Sequence, residues 1–149
     1  MAEPTPAAPE DELAVRNLLA RYGDAVCRRD AAAWIATWAP DCVWDLGRGR
    51  VTRGRDATLA LWRDSIAKYP WVAQLPASGV VELVDGQLRG AWYVLELNRL
   101  VDGSGVMHLG HYRDRYVRTD EGWRFGSRKF HLVYRGAMDA GTVNPLPGG

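Results

Sequence analysis

The chain is poor in cysteine and phenylalanine and carries no excess of either charge. Its two cysteines, Cys27 and Cys42, form no CxxC motif, and no repeated cysteine or histidine spacing marks a zinc module. No metal site is expected, and each thiol reads as a buried one. Nineteen Lys and Arg stand against 18 Asp and Glu, so the basic excess of a nucleic-acid platform is missing. The arginines fall in short groups, Arg28 with Arg29, Arg48 with Arg50, and Arg53 with Arg55. Each group has acidic neighbours nearby, which is the pattern of a solvated surface. No apolar run approaches the roughly 18 residues of a membrane span. The opening "MAEPTPAAPEDE" has no charged segment leading into an apolar one, so no secretory signal is expected and the expected location is the cytoplasm. What the chain does have is apolar material. It makes up 47% of 149 residues, with seven tryptophans, enough for one domain around one core.

Residues 1–9 are rich in Pro and Ala, and a disordered tail is expected there. A helix is expected from about Glu10, because Val15, Leu18, Leu19, Tyr22, Ala25 and Val26 recur at helical spacing. Asp30 is placed to cap a second, short helix, "AAAWIATWA", which Pro40 stops. "CVWDL" reads as a short strand and "GRGRVTRG" as a turn-rich hairpin. Asp56 opens a third helix that ends before Pro70. The second half changes character. "VDGQ", "VDGSG" and "TDEGW" separate runs of β-prone residues, the mark of an antiparallel meander. Residues 136–149 return to loop composition. Helices followed by a meander predict an α+β domain over residues 10–135, with helices packed on one face of a curved sheet.

The stretch "GVMHLGHYRDRY" at 105–116 holds two of the three histidines. In a regular strand, residues three apart face opposite sides, so His108 and His111 cannot share a ligand. His108 keeps company with Gly110, Tyr112 and Asp114; His111 does so with Leu109, Arg113 and Arg115. On the preceding strand Trp92, Val94, Glu96 and Asn98 share a face, and on the last strand Arg128, Phe130, Leu132 and Tyr134 do. Alternation alone leaves open which side is inside. Apolar positions mixed with a few polar ones are what a ligand pocket requires.

The stretches "LLARYGDAVCRRDAAAWIATWAPDCVWDLGRG", "GRDA" and "GHYRDRYVRTDEGWRFGSRKF" resemble the nuclear transport factor 2-like superfamily in its SnoaL-like, polyketide cyclase/dehydratase-like branch. The resemblance spans residues 10–135. It implies a cone: a strongly curved antiparallel sheet wrapped around the N-terminal helices, with a hydrophobic pocket at the open end. It also implies a homodimer. Dehydratases and dehydrochlorinases of this kind use an Asp–His dyad, and the matching positions here hold Cys27 and Gln74. The oxyanion-hole residues of ketosteroid isomerases match Tyr22 and Asp114, while their base falls at Leu46. By the same resemblance Trp44, Trp92, Val94, Glu96, His108, Tyr112 and Arg128 face the cavity, and His111 faces away.

These readings combine into one expectation. Glu96 and His108 lie on the two arms of one hairpin, and a carboxylate beside an imidazole holds its tautomer and raises its basicity. His108, Glu96, Tyr22 and Arg128 are the expected catalytic residues. Cys27, Trp44, Gln74, Trp92, Val94, Tyr112, Asp114 and Phe130 are the expected substrate-binding residues. The alternative for Arg128 is an ion pair with Asp114 or Glu96, and for Tyr22 and Cys27 a place in the core. The expected activity is that of a cofactor-independent lyase or isomerase. It would move a proton on a small hydrophobic, oxygenated ligand by elimination, double-bond migration or aldol-type cyclisation. The alternatives are an epoxide hydrolase of the limonene epoxide hydrolase type and a non-catalytic ligand-binding module.

Overall fold

A computed structural model describes residues 2–146. Helix α1 runs over Pro9–Arg28. Pro9 suits the first helical position, where its missing N–H costs nothing, and Glu10, Asp11 and Glu12 complement the positive end of the helix dipole. The helix ends at Arg29, which turns left-handed at φ 57°. Its buried face comprises Val15, Leu18, Leu19, Tyr22, Ala25 and Val26, the set the 3.6-residue period picks out. Helix α2, Ala31–Ala36, is capped by the Asp30 carboxylate, which accepts from the Ala33 N–H at 2.9 Å. Helix α3 covers Arg55–Ile66.

Among the described residues seven strands complete the fold: β1 Thr5–Pro6, β2 Trp38–Asp45, β3 Val51–Arg53, β4 Trp71–Val84, β5 Gln87–Arg99, β6 Gly105–Thr119 and β7 Gly122–Met138. They form one sheet in the order β1-β4-β5-β6-β7-β2-β3. The pairings are antiparallel except β2 with β7, which is parallel. Bulges interrupt the ladder between Pro76 and Gly79 on β4, and twice between β6 and β7. Bulges increase local twist, and the sheet curves around α1. The β4–β5 turn puts Asp85 and Gly86 at φ 50° and 74°, as a two-residue hairpin turn demands.

Three boundaries differ from the sequence expectation. The second helix stops at Ala36 rather than continuing to Pro40. The Thr37 hydroxyl closes it on the Trp34 carbonyl at 2.6 Å, and the Thr37 carbonyl accepts from the Phe125 N–H of β7. The sheet therefore takes the chain over at once, and Trp38 and Ala39 are buried as strand residues. Within the expected disordered tail, Thr5 and Pro6 pair with Leu83 and Glu82, and Ala7 is buried. At the other end β7 runs on to Met138. Met1 and residues 147–149 of the two tails lie outside the described residues.

The core between α1, α2, α3 and the sheet is aromatic. Trp34 stacks on Trp62 at 4.9 Å and meets Trp44 at 5.3 Å and Trp38 at 5.4 Å. Such pairs add about 0.5–1.5 kcal/mol each beyond area burial. The cluster fixes α2 and α3 against β2, and its members Trp44 and Trp62 reach the open end of the sheet.

Candidate active site

At that open end lies a cavity of about 510 Å³. Tyr22 and Val26 of α1 and Trp62 and Ile66 of α3 form one side, with Tyr69 just beyond α3. Trp44, Val72, Tyr112 and Phe130 on the sheet form the other, and the β2–β3 turn edges the mouth. The walls are mainly aromatic and aliphatic, and a few polar groups converge within them, the usual make-up of a small-molecule site.

The first polar group set is a row across the sheet. Gln74 on β4, Glu96 on β5 and His108 on β6 are successive register partners. All three line the cavity. Gln74 Nε2 donates to Glu96 Oε1 at 2.7 Å, which fixes one carboxylate oxygen. Glu96 Oε2 stands 3.4 Å from His108 Nδ1, and Asn98 Nδ2 stands 3.5 Å from the same nitrogen. With Nδ1–H directed to the carboxylate, Nε2 carries the free lone pair. The 3.4 Å contact is long for a strong bond, and catalytic contacts often shorten only when substrate is bound. The side chains of His108 and Glu96 are 12% and 19% exposed, so a ligand can reach them while bulk water is largely excluded. Tyr69 packs edge-on against the His108 ring at 6.1 Å.

The second set forms the floor. Tyr22 and Tyr112 line the cavity and are themselves almost wholly buried. Beneath them the Arg128 guanidinium stacks 3.8 Å from the Tyr112 ring and 4.4 Å from that of Tyr22. Arg128 Nε donates to Asp114 Oδ1 at 2.8 Å, and both side chains are fully buried. The Tyr116 hydroxyl donates to Asp114 Oδ2 at 3.0 Å and accepts from Trp92 Nε1 at 2.8 Å. Burial works against the Arg128 cation, but Asp114 and the surrounding tyrosines outweigh it and hold its pKa above the usual guanidinium value. Burial pushes the Tyr22 and Tyr112 hydroxyls up, Tyr112 well up, while Arg128 pulls both back. Both phenols therefore stay protonated near neutral pH and can donate, with a fixed positive charge behind them.

The structure thus brings Tyr22, Trp44, Gln74, Glu96, His108, Tyr112 and Phe130 to one cavity. It places Arg128, Asp114, Trp92 and Val94 in the packed layer behind the wall, where Arg128 reaches the cavity only through the tyrosine rings. Cys27 does not line the cavity. It borders a separate groove between α1 and β4, with Sγ 3.1 Å from the Gln74 backbone N. His111 points outward, against Tyr93 at 4.8 Å. Sequence reasoning assigned no role to Asn98, Tyr69, Arg48, Arg50 or Arg135, all of which line the cavity. Asn98 follows Glu96 at strand spacing and was open to discovery that way. The others come from a helix end, a turn and the far end of a bulged strand, where periodicity carries no signal.

A family model described as a SnoaL-like domain matches residues 7–129. Solved structures with similar folds include a type 2 hexachlorocyclohexane dehydrochlorinase (LinA), with a TM-score of 0.80 and 20% identity over 93% of this chain and 99% of that one. A candidate scytalone dehydratase from Novosphingobium aromaticivorans has a TM-score of 0.79 at 16% identity, covering 94% of this chain and 95% of its own. An NTF2-like protein with a cystatin-like fold, also from Novosphingobium aromaticivorans, has a TM-score of 0.70 at 25% identity, covering 83% and 82%. No curated protein matches the sequence. At these identities the likenesses establish the fold.

Proposed function

The chain belongs to the SnoaL-like domain family, and from that footing we propose that its cavity is the active site of a lyase or isomerase that works by proton transfer between the substrate and its own side chains. The observation that carries this reading is that the row Gln74–Glu96–His108 lines the same largely apolar cavity as Tyr22 and Tyr112. In this reading His108 Nε2 takes a proton from a carbon beside a substrate carbonyl. The C–H electron pair moves onto the oxygen, which Tyr22 and Tyr112 hold by hydrogen bonds. Glu96 accepts the Nδ1–H hydrogen bond and balances the imidazolium, and Gln74 keeps Glu96 in place. The enolate then either expels a β-hydroxyl, which leaves as water with the proton that His108 took, or takes that proton back from His108 at another carbon. The first course is a lyase reaction, the second an isomerisation. The ligand is a small hydrophobic, oxygenated molecule, with Trp44, Trp62 and Phe130 as walls suited to an aromatic, polyketide-like or steroid-like body.

Two features bear on the alternatives. Glu96 is the one carboxylate among the described residues lining the cavity, so an epoxide hydrolase here would have to draw its acid from the tyrosines rather than from a second carboxylate. A pure binding site has no need of a carboxylate beside its imidazole, and that pairing favours proton transfer. We further propose a cytoplasmic homodimer paired through the outer sheet face, where Val80 and Tyr93 are exposed; light scattering on the purified chain tests this. Among the described residues no helix is long and apolar enough to cross a membrane.

The test of the proposed chemistry is turnover on a panel of β-hydroxy and β,γ-unsaturated ketones, with His108→Ala beside the unaltered chain. Loss of the base should lower kcat about 10²- to 10⁴-fold with the melting temperature nearly unchanged. Equal turnover by the variant would remove His108 from the mechanism.

A further inference from the structure

We propose that the substrate of this cavity carries a carboxylate, bound at the mouth by Arg48, Arg50 and Arg135, so that an aromatic carboxylic acid enters with its ring inward. The inference rests on the acid–base reading of the same cavity and adds the class of substrate. By sequence Arg48 and Arg50 look like solvated surface residues with acidic neighbours. The structure puts both on the cavity rim, in the turn between β2 and β3. Arg135 joins them from β7. It is the register partner of His108, and so continues the row Gln74–Glu96–His108 outward by one strand.

The charge at the mouth is not balanced by the protein. None of the three guanidiniums forms an ion pair among the described residues, although eight other ion pairs are present. Asp45, the nearest acid in sequence, is engaged elsewhere. Its Oδ1 accepts from the Gly47 N–H at 2.8 Å and its Oδ2 stands 3.7 Å from Lys129 Nζ. The single lining carboxylate, Glu96, is committed to Gln74 and His108. Three cations thus face one interior anion across an apolar space.

The turn is also built to hold its arginines there. Gly47, Arg48 and Gly49 have φ of 75°, 55° and 78°. Leu46 N–H donates to the Arg50 carbonyl at 2.9 Å and closes the loop. A left-handed conformation is easy for the glycines but uncommon for arginine, and strain of this kind persists where the surroundings over-determine it. Tyr69 lies within the field of the same groups. Burial and Glu96 raise its hydroxyl pKa, and the charges of Arg135 and Arg50 oppose them. Guanidiniums bind planar carboxylates through paired N–H donors, and because Arg48, Arg50 and Arg135 are exposed at the rim, water and salt screen that attraction. A cavity of about 510 Å³ accepts a bicyclic ring system.

The experiment is calorimetric titration of 2-naphthoate and of 2-naphthamide, which has the same ring without charge. The protein is used unaltered and as the Arg50→Gln/Arg135→Gln double variant. The unaltered protein should bind naphthoate about tenfold more tightly than the amide, the product of a few exposed charge pairs, and added salt should shrink that preference. The double variant should bind both alike, with its amide affinity unchanged. Equal binding of the two probes by the unaltered protein, or a preference that survives in the double variant, overturns the proposal while leaving the cavity standing. If neither probe binds, the cavity reading and this proposal fall together. An anion preference accompanied by full turnover in His108→Ala would instead refute the acid–base reading alone.

Discussion

Replacing Asp114 by Asn tests whether the floor of the cavity depends on a buried ion pair. The substitution keeps shape and removes one charge. Arg128 and Asp114 are fully buried and 2.8 Å apart. Arg128 Nη1 and Nη2 have no hydrogen-bond partner among the described residues, so Asp114 carries most of the compensation, with the aromatic faces supplying the rest. A pair of unit charges about 4 Å apart at an effective dielectric near 20 is worth about 4 kcal/mol. Removing one partner of a buried pair costs about 3–5 kcal/mol. An expected loss of about 3 kcal/mol allows for the cation–π contacts that remain. For a chain of this size that is a fall of roughly 6–12 °C in melting temperature. Urea unfolding followed by tryptophan fluorescence measures it. Arg128→Met in the Asp114→Asn background removes the orphaned cation and should recover at least half of the loss, because two apolar or neutral groups leave nothing unpaired. The same double variant should still be slow in turnover, because Tyr22 and Tyr112 lose the positive charge beneath them. A single variant losing under about 1 kcal/mol, or a double variant worse than the single, would show that Arg128 does not depend on Asp114.

Glu96→Gln leaves the His108 tautomer unsupported and the imidazolium uncompensated, so kcat should fall about 10- to 100-fold in steady-state assays with little change in stability. Gly110 faces the Phe130 ring, and a Cβ there would collide with Phe130 Cε2. Gly110→Ala should therefore displace this cavity wall, cost about 1–3 kcal/mol in a urea titration and weaken naphthoate binding. The His111 pKa is lowered, first by burial and then by Arg113 and His131. A histidine whose folded pKa is depressed binds fewer protons folded than unfolded, so its contribution is intact above about pH 6.5 and is lost as pH falls through the folded value. The melting temperature should decline between pH 7 and 5, and the decline should be shallower in His111→Gln.

Much of the site was legible because two periodicities were strong. The α1 face from Val15 to Val26 follows from the 3.6-residue repeat, and that face delivers Tyr22. On β5 and β6, Trp92, Val94, Glu96 and Asn98, and His108, Tyr112 and Asp114, share the inward side. The turn signal "VDGSG" then sets the hairpin register that pairs Glu96 with His108. Which side was inward came from family resemblance, because both faces of β6 mix polar and apolar residues. Burial of Asp114, Arg128 and Asn98 explains why composition could not decide it: each is polar and each is nearly inaccessible. Cys27 shows the limit of positional matching. One step around α1 separates Val26, which lines the cavity, from Cys27, which touches the Gln74 backbone outside it.

The mouth was hidden for a more specific reason. Simple alternation along β7 groups Arg128, Phe130, Leu132 and Tyr134 on one face and leaves Arg135 on the other. The ladder does not alternate simply there. Leu109 pairs with Tyr134, but Gly110 pairs with Leu132, so Val133 has no partner. One unpaired residue exchanges the two faces of everything beyond it. Tyr134 is thereby turned out and is half exposed, while Arg135 is brought in beside His108. Neither glycine nor proline marks position 133, so the sequence offers no punctuation at which to expect the slip. The bulge thus gives the row Gln74–Glu96–His108 a cationic end, and it links the proposed base to the proposed carboxylate anchor on one continuous set of register partners.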